Sequence, residues 1–269
     1  MRKQRLDTVL IDRGLFTSRS RAAASVMAGE VLVGAGRRRA AKPSELVDPA
    51  DVLVVQGGPR FVSRGGEKLA NALADSGLAV DGRVAIDVGA STGGFTDCLL
   101  QHGAAHVIAV DVGYGLLDYS LRSDSRVSVL ERLNARELTP GSLAGLAQPD
   151  LAVIDVSFIS LAKVLTAVLS CLPMRFDVLA MIKPQFEVGR ERVGKGGVVR
   201  SSEDRRAALV TVGAAALSAG CAVVGYHSSG LPGPKGNRET FVHLVEGSRG
   251  IGTGSAQDLE ALARTVEHD

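Results

Sequence analysis

The sequence predicts an α/β protein: a mostly parallel sheet of seven strands, the last antiparallel, preceded by a small α+β module. Three observations carry that prediction. An apolar run, Val84 to Val88, meets a loop of small residues at Gly89, passes through a helical stretch, and enters a second apolar run, His106 to Val110, which closes on Asp111. Strand, glycine loop, helix and acid-tipped strand are the opening half of a nucleotide-binding α/β fold. Five more strand-length apolar segments follow, most of them separated by helix-length segments, the alternation that builds a parallel sheet. Charge is also uneven: residues 1–60 hold eleven Lys/Arg against six Asp/Glu, while the remainder is slightly acidic. That asymmetry points to an N-terminal module that meets a polyanion, with a solvated basic surface as the alternative.

The basic module comes first. Arg5 to Gly14 reads as a short amphipathic helix, with Leu6, Val9 and Leu10 on one face and Gly14 as its stop. Ser18 caps a second helix, Arg19 to Ala28, ended by Gly29. Arg19 and Arg21 fall in its first turn, where the helix dipole disfavours cations, so an external anion is the expected partner. Glu30 to Val33 and Asp51 to Val55 are short strands, and Arg37, Arg38 and Arg39 form a basic turn between them. Residues 1–56 are assigned to this module and 57–63, with Gly57, Gly58 and Pro59, to a linker. The larger domain, 64–269, opens with a helix over Glu67 to Ser76.

The loop after the first strand names the ligand class. Glycines at 89, 93 and 94 let a backbone approach a ligand closely, although a tight strand-to-helix turn has the same composition. Asp111 lies a little over 20 residues beyond the loop's opening, about the ribose-binding distance of such folds. Asp87 stands just ahead of Gly89. A pyrophosphate favours a helix N-terminus free of acid, whereas an acid there suits a ligand carrying positive charge, such as the sulfonium and amino group of S-adenosyl-L-methionine. Methyl transfer is therefore favoured over hydride transfer. The candidate cofactor contacts are Asp87, Gly89, Ala90, Ser91, Gly93, Gly94, Phe95 and Asp111.

The later segments supply the opposite wall. Arg126 to Leu130 is a third strand; Asn134 beyond it either bonds an adenine edge or caps a loop. Asp150 to Val156 is the fourth strand, with Asp155 at its carboxyl end, and a helix is expected over Phe158 to Leu172. Phe176 to Ile182 is the fifth strand, followed at once by Lys183. Val188 to Val199 is a glycine-rich basic loop suited to phosphates. A helix over Glu203 to Ala219, a strand over Ala222 to His227, a loop over Leu231 to Asn237, a last strand over Glu239 to Val245 and a helix over Ala256 to Val266 complete the domain.

Four charged residues stand out: Lys68, Asp155, Lys183 and Glu239. Two lysines and two carboxylates near the ligand edge of a sheet could form an alternating cluster. A ribose hydroxyl holds its proton tightly, and a lysine with a lowered pKa is a base that can take it. Lys183 is the candidate base, Asp155 its orienting partner and a cofactor contact, and Lys68 and Glu239 tune charge and position the ribose. A lysine snorkelling to solvent is the bland reading of Lys183.

Two resemblances extend this reading. Arg5-Leu6-Asp7, Gly14, Ser18-Arg19, Ala22, Gly29 and Val31-x-Val33 resemble the RNA-binding module named after ribosomal small-subunit protein four, with Val33-Gly34-Ala35-Gly36 in place of its usual Val-Asn-Gly. The resemblance implies that Arg5, Arg19, Arg21, Arg37 and Arg38, with Arg64 beyond the linker, hold phosphates of structured RNA. Lys68, Asp155, Lys183 and Glu239 resemble the Lys-Asp-Lys-Glu tetrad of FtsJ/RrmJ-like 2′-O-ribose methyltransferases. Nearly the whole chain is similar to the TlyA family, whose members have also been called haemolysins. The similarity runs in order through Val62-Ser63-Arg64-Gly65, Asp87 to Phe95, Asp155-Val156-Ser157-Phe158-Ile159-Ser160-Leu161, Lys183-Pro184-Gln185-Phe186-Glu187 and Gly233-Pro234-Lys235-Gly236-Asn237. It implies a Rossmann-like methyltransferase sheet and S-adenosylmethionine as methyl donor. It also implies cytidine 2′-hydroxyls of small-subunit and often large-subunit ribosomal RNA as acceptors, with an effect on sensitivity to capreomycin-type antibiotics. Arg60-Phe61-Val62 stands where that family's linker often carries tryptophan.

Composition removes other classes. Cys98, Cys171 and Cys221 make no metal-spaced pair and no disulfide framework. No run approaches the roughly 18 apolar residues of a membrane span, and the N-terminus leads into no signal-like segment. The expectation is a cytoplasmic protein, monomeric by default, with no metal, whose partners are ribosomal RNA and ribosomal subunits rather than DNA or a membrane. A non-catalytic RNA-binding ribosome-assembly factor is the second reading. A haemolysin-like membrane-active protein and a dehydrogenase are disfavoured.

Overall fold

The computed structural model describes residues 3–16, 18–51, 53–55, 60–253 and 255–267. The chain divides into two units, Met1–Arg60 and Phe61–Asp269. Of the linker expected over 57–63, residues 57–59 lie outside the described residues and 61–63 belong to the second unit.

In the first unit, helices Leu6–Asp12 and Arg19–Met27 pack Leu6, Val9, Leu10, Ala22 and Val26 against Val31, Val33 and Val47. Ser18 caps the second helix by accepting from the Arg21 N–H at 3.3 Å. Strand Val31–Val33 lies between Arg38–Arg39 and Leu53–Val55, both antiparallel to it. The expected basic turn is thus only partly a turn. Arg37 takes a left-handed φ of 49° and reverses the chain, and Arg38 and Arg39 return as a strand. Gln4–Arg5 pairs with Leu46–Val47, an element too short to leave a sequence pattern.

The second unit carries the sheet. Its strands are numbered β1 (Val84–Val88), β2 (His106–Asp111), β3 (Val127–Glu131), β4 (Leu151–Ile154), β5 (Asp177–Ile182), β6 (Cys221–Ser228) and β7 (Thr240–Glu246). Their order across the sheet is β6-β7-β5-β4-β1-β2-β3. All are parallel except β7, which runs antiparallel to both β5 and β6. The principal helices are α1 (Arg64–Ser76), α2 (Gly94–Gln101), α3 (Ala162–Leu169), α4 (Ser202–Ser218) and α5 (Ala256–Arg264).

Alternate strand residues feed two cores, as a sheet covered on both faces requires. Ala85, Val107, Ala109, Val153, Leu179 and Met181 pack with Leu69 and Leu73 of α1 and Phe95 and Leu99 of α2. Ile86, Val88, Ile108, Val110, Ile154, Val178 and Ala180 pack with Val164 of α3, Leu209 and Val212 of α4 and Leu259 of α5. Helix α1 begins at Arg64, three residues before the expected start, because Ser63 caps it through the Gly65 N–H at 3.3 Å. Helix α3 begins at Ala162 rather than Phe158. Phe158 sits at φ 65°, a left-handed conformation that no right-handed helix can contain.

Candidate active site

The parallel strands end at one edge, where ligands of open α/β sheets bind. Asp111 ends β2, Asp155 follows β4 and Lys183 follows β5. Glu239 immediately precedes β7. Because β7 is antiparallel, with Thr240 opposite Ile182, its start lies at the same edge as the end of β5. Lys68 reaches this edge from α1.

Two cavities adjoin there. The larger, about 410 Å3, has an apolar floor that includes Val88, Val110, Leu133 and Val164, with Asp111, Asn134 and Asp155 on its walls. The smaller, about 240 Å3, is lined by Lys68, Asp155, Lys183 and Glu239 together with Arg64, Phe95 and Pro234. Gly89, Ser91 and Asp155 line both. In the smaller cavity Lys68 Nζ donates to Glu239 Oε2, with both side chains buried. Lys183 Nζ lies 2.5 Å from Asp155 Oδ1 and donates to Ser157 Oγ at 2.8 Å. Two ion pairs thus line one opening. The arrangement sets two lysine amino groups at the opening and a carboxylate, Asp155, in the wall shared with the neighbouring cavity.

The larger cavity fits a nucleoside that carries positive charge. Asp111 is held rigidly: Oδ2 accepts from the Ser91 N–H at 2.7 Å and Oδ1 from the Gly113 N–H at 2.7 Å. Each oxygen keeps a second lone pair for a hydroxyl. Asn134 Oδ1 caps a 3-10 turn through the Arg136 N–H at 3.1 Å, so the loop-cap reading holds for its oxygen. Asn134 itself lines the larger cavity.

An FtsJ-like methyltransferase profile matches residues 61–246, which spans the whole sheet and all four tetrad positions. The chain belongs to the FtsJ-like methyltransferase family. It is 48% identical over 245 residues to the 16S/23S rRNA (cytidine-2′-O)-methyltransferase TlyA of Mycobacterium tuberculosis, covering 90% of each chain. It is 42% identical to YqxC of Bacillus subtilis, a candidate rRNA methyltransferase, over 99% of this chain and 94% of that one. A solved structure of a candidate hemolysin from Streptococcus thermophilus superposes with a TM-score of 0.73 at 41% identity, covering 98% of this chain and 96% of that one.

Within this methyltransferase the expected site residues are not all placed alike. Gly89, Ser91, Asp111, Asn134 and Asp155 line the larger cavity, and Ala90, Gly94 and Phe95 line the tetrad cavity. Asp87 lines neither. It is fully buried beneath the loop, where Oδ2 accepts from Thr96 Oγ1 at 2.7 Å and Oδ1 has no hydrogen-bond partner among the described residues. Burial lifts its pKa to about 7. The expected direct contact between Asp87 and a cationic ligand is not what the structure shows: the carboxylate is turned to Thr96 of α2. Gly93, at φ 95°, is required because a Cβ there would strike Leu117 and Leu121, and Gly94 because a Cβ would strike Ser63. These glycines serve packing of the loop on its neighbours.

The RNA-facing candidates also differ. Asp7, buried, accepts from Arg5 at 3.0 and 2.7 Å and from Arg19 at 3.3 Å; the Arg5 hydrogen bond chiefly holds its pKa down near 2. One acid thereby braces two arginines and leaves one net positive charge. Arg38 is paired with Glu45. Arg37 is exposed, Arg21 is exposed on the second helix, and Arg64 is exposed beside the tetrad.

Three contributors were not picked out as site residues. Ser157 receives the Lys183 hydrogen bond. Phe158, 91% exposed, leans on Phe186 with ring centroids 5.4 Å apart. Glu187 accepts from Ser160 Oγ at 2.6 Å and from the Leu161 N–H at 2.9 Å, tying the Phe158 loop to the segment after Lys183. Burial raises the Glu187 pKa against these bonds. The sequence signal for these three was their place in the family-like segments that contain Asp155 and Lys183.

Proposed function

We propose that this chain uses S-adenosyl-L-methionine to methylate cytidine 2′-hydroxyls in ribosomal RNA. The observation that carries the reading is the pair of adjoining cavities with Asp155 in the wall they share. S-adenosylmethionine, when bound, supplies a methyl group on a positively charged sulfur. Asp111 accepts hydrogen bonds from its ribose hydroxyls, the Asn134 NH2 group meets the adenine edge, and Asp155 offsets the positive charge. In the tetrad cavity Lys183, in its neutral form, takes the proton of the attacking ribose hydroxyl. Asp155 and Ser157 hold Lys183 Nζ at the opening. Lys68, fixed by Glu239, stabilises negative charge as it develops on the ribose oxygen.

The acceptor comes from the relatives. The Mycobacterium tuberculosis protein is named for cytidine 2′-oxygens of 16S and 23S RNA, so RNA of both subunits is the proposed substrate. Loss of the activity is proposed to alter sensitivity to capreomycin-type antibiotics. The Met1–Arg60 unit is proposed as an RNA-binding module of the ribosomal-protein-four type, with Arg5, Arg19, Arg21 and Arg37 on phosphates.

The test is to incubate unmodified small and large ribosomal subunits, separately, with methyl-labelled S-adenosylmethionine and map the label. Label on cytidine ribose is expected. Subunit binding with no transfer would instead make the chain a non-catalytic assembly factor working in the cytoplasm.

A further inference from the structure

Two loops beside the tetrad are fastened together by a single buried amide. Asn237 is 2% exposed. Its Oδ1 accepts from the Val199 N–H at 2.9 Å and its Nδ2 donates to the Gly197 carbonyl at 2.8 Å. Its own carbonyl accepts from the Gly233 N–H at 2.8 Å, which closes the turn Gly233-Pro234-Lys235-Gly236. The other loop turns tightly too: the Gly194 N–H donates to the Val198 carbonyl at 3.1 Å, and Lys195 stands at the tip. The Lys235 side chain lies across Gly197, within ordinary van der Waals distance of where a Cβ would be. Asn237 therefore makes one unit of two lysine-bearing turns.

That unit is set directly on the catalytic wall. Gly233 rests against the Glu239 carboxylate so closely that a Cβ would collide with it, and Pro234 lines the tetrad cavity. Lys195 and Lys235 are both exposed, and neither has an acidic partner among the described residues. Arg192, in the same basic segment, is spent on Asp204 at 3.5 Å. Two cations without acidic partners among the described residues thus stand on the two turns that Asn237 joins, and one of those turns reaches the tetrad cavity through Pro234.

We propose that Lys195 and Lys235 form a clamp for a phosphodiester flanking the target ribose, and that Asn237 is the positioning residue that makes them act as one. The proposal rests on the RNA reading above and adds the surface that registers the strand. The chemistry fits: lysine ammoniums are point charges suited to phosphate oxygens, and their contacts release counterions from the RNA. Arginine-rich surfaces elsewhere supply grip, whereas a contact one nucleotide from the reacting oxygen sets register.

The test uses the full chain and ribosomal subunits, with KM and kcat measured across a salt series. Lys195→Ala/Lys235→Ala is expected to raise KM at least about fivefold and flatten the salt dependence by roughly 0.7–0.9 of a log unit per lysine, with kcat and S-adenosylhomocysteine binding unchanged. Asn237→Ala is expected to raise KM similarly, and Lys195→Ala added to it should cost less than Lys195→Ala alone. Thermal unfolding identifies any misfolded Asn237 variant, and the lysine variants carry the test without it. Unchanged KM and salt slope in the double lysine variant overturn the clamp, as does a fall in kcat alone. Absence of transfer by the unaltered protein is a different result, and overturns the RNA reading itself.

Discussion

Lys68 and Glu239 stand 171 residues apart in sequence and close an ion pair inside the wall of the tetrad cavity, with side chains 7% and 2% exposed. Both side chains are nearly removed from solvent, so each charge depends on the other. Removing one partner strands a buried charge, which typically costs about 3–5 kcal/mol. Glu239→Ala and Lys68→Ala are each expected to lower the unfolding midpoint, and the double variant to lose less than the sum. Additive losses in denaturant titrations would show that the pair is not coupled. All three variants should lack methyl transfer.

Lys183 separates a base from a mere cation. Lys183→Arg keeps positive charge beside Asp155 but cannot take a proton at any working pH. Both Lys183→Arg and Lys183→Ala are expected to lose roughly 100-fold or more in kcat, with S-adenosylhomocysteine binding retained in calorimetry. Near-normal turnover by the arginine variant would assign Lys183 an electrostatic role instead.

Phe158 is expected to stack on the acceptor base. It is exposed, packs on Phe186 and borders the larger cavity beside Ser157. A base–aromatic stack is worth roughly 1–3 kcal/mol, so Phe158→Ala should lower kcat/KM for ribosomal subunits about tenfold. Stability should not fall, because the ring is in solvent. An unfolding midpoint that drops with kcat/KM would recast Phe158 as structural.

Asp87 makes stability depend on pH. Burial raises its carboxyl from the ordinary 3.8 to about 7 in the folded chain. Between those values the folded state binds the extra proton. Its contribution is therefore fully present below about pH 4 and is lost as pH rises through 7, on the order of 4 kcal/mol in all. Asp87→Asn keeps an acceptor for Thr96 and removes the titration. The variant should gain on the unaltered protein from about pH 4 to about pH 7 in denaturant unfolding; parallel curves would exclude Asp87 as the titrating group.

Much of the fold was legible because its strands are covered on both faces. Segments such as Leu151–Ile154 and Asp177–Ile182 are buried along their whole length, so they read as unbroken apolar runs bounded by charge. Illegible features depended on single dihedral angles or on orientation. Phe158 has the composition of a helix start, but its left-handed φ delays α3 to Ala162. Arg38 and Arg39 read as a turn, but left-handed Gly34 and Arg37 reverse the chain before them. Asp87 was expected to meet a cationic ligand because it stands just ahead of Gly89, yet its side chain is wholly buried beneath the loop. Its carboxylate goes to Thr96.

The sequence by itself determined the strands, the glycine loop, the acid at the tip of β2 and the identity of the four tetrad residues, because each is written in local apolar patterning or in one side chain's chemistry. Only the tertiary structure decided that they meet. The antiparallel insertion of β7 next to β5 sets Thr240 opposite Ile182, and that register carries Glu239 to the edge where Lys183 emerges. Residues far apart in the chain become neighbours through strand order, which is fixed by packing both sheet faces at once and leaves no trace in any single segment. The Val84–Gly113 segment contributes Val88, Gly89, Ser91, Val110 and Asp111 to the larger cavity; the sheet order places the tetrad beside it.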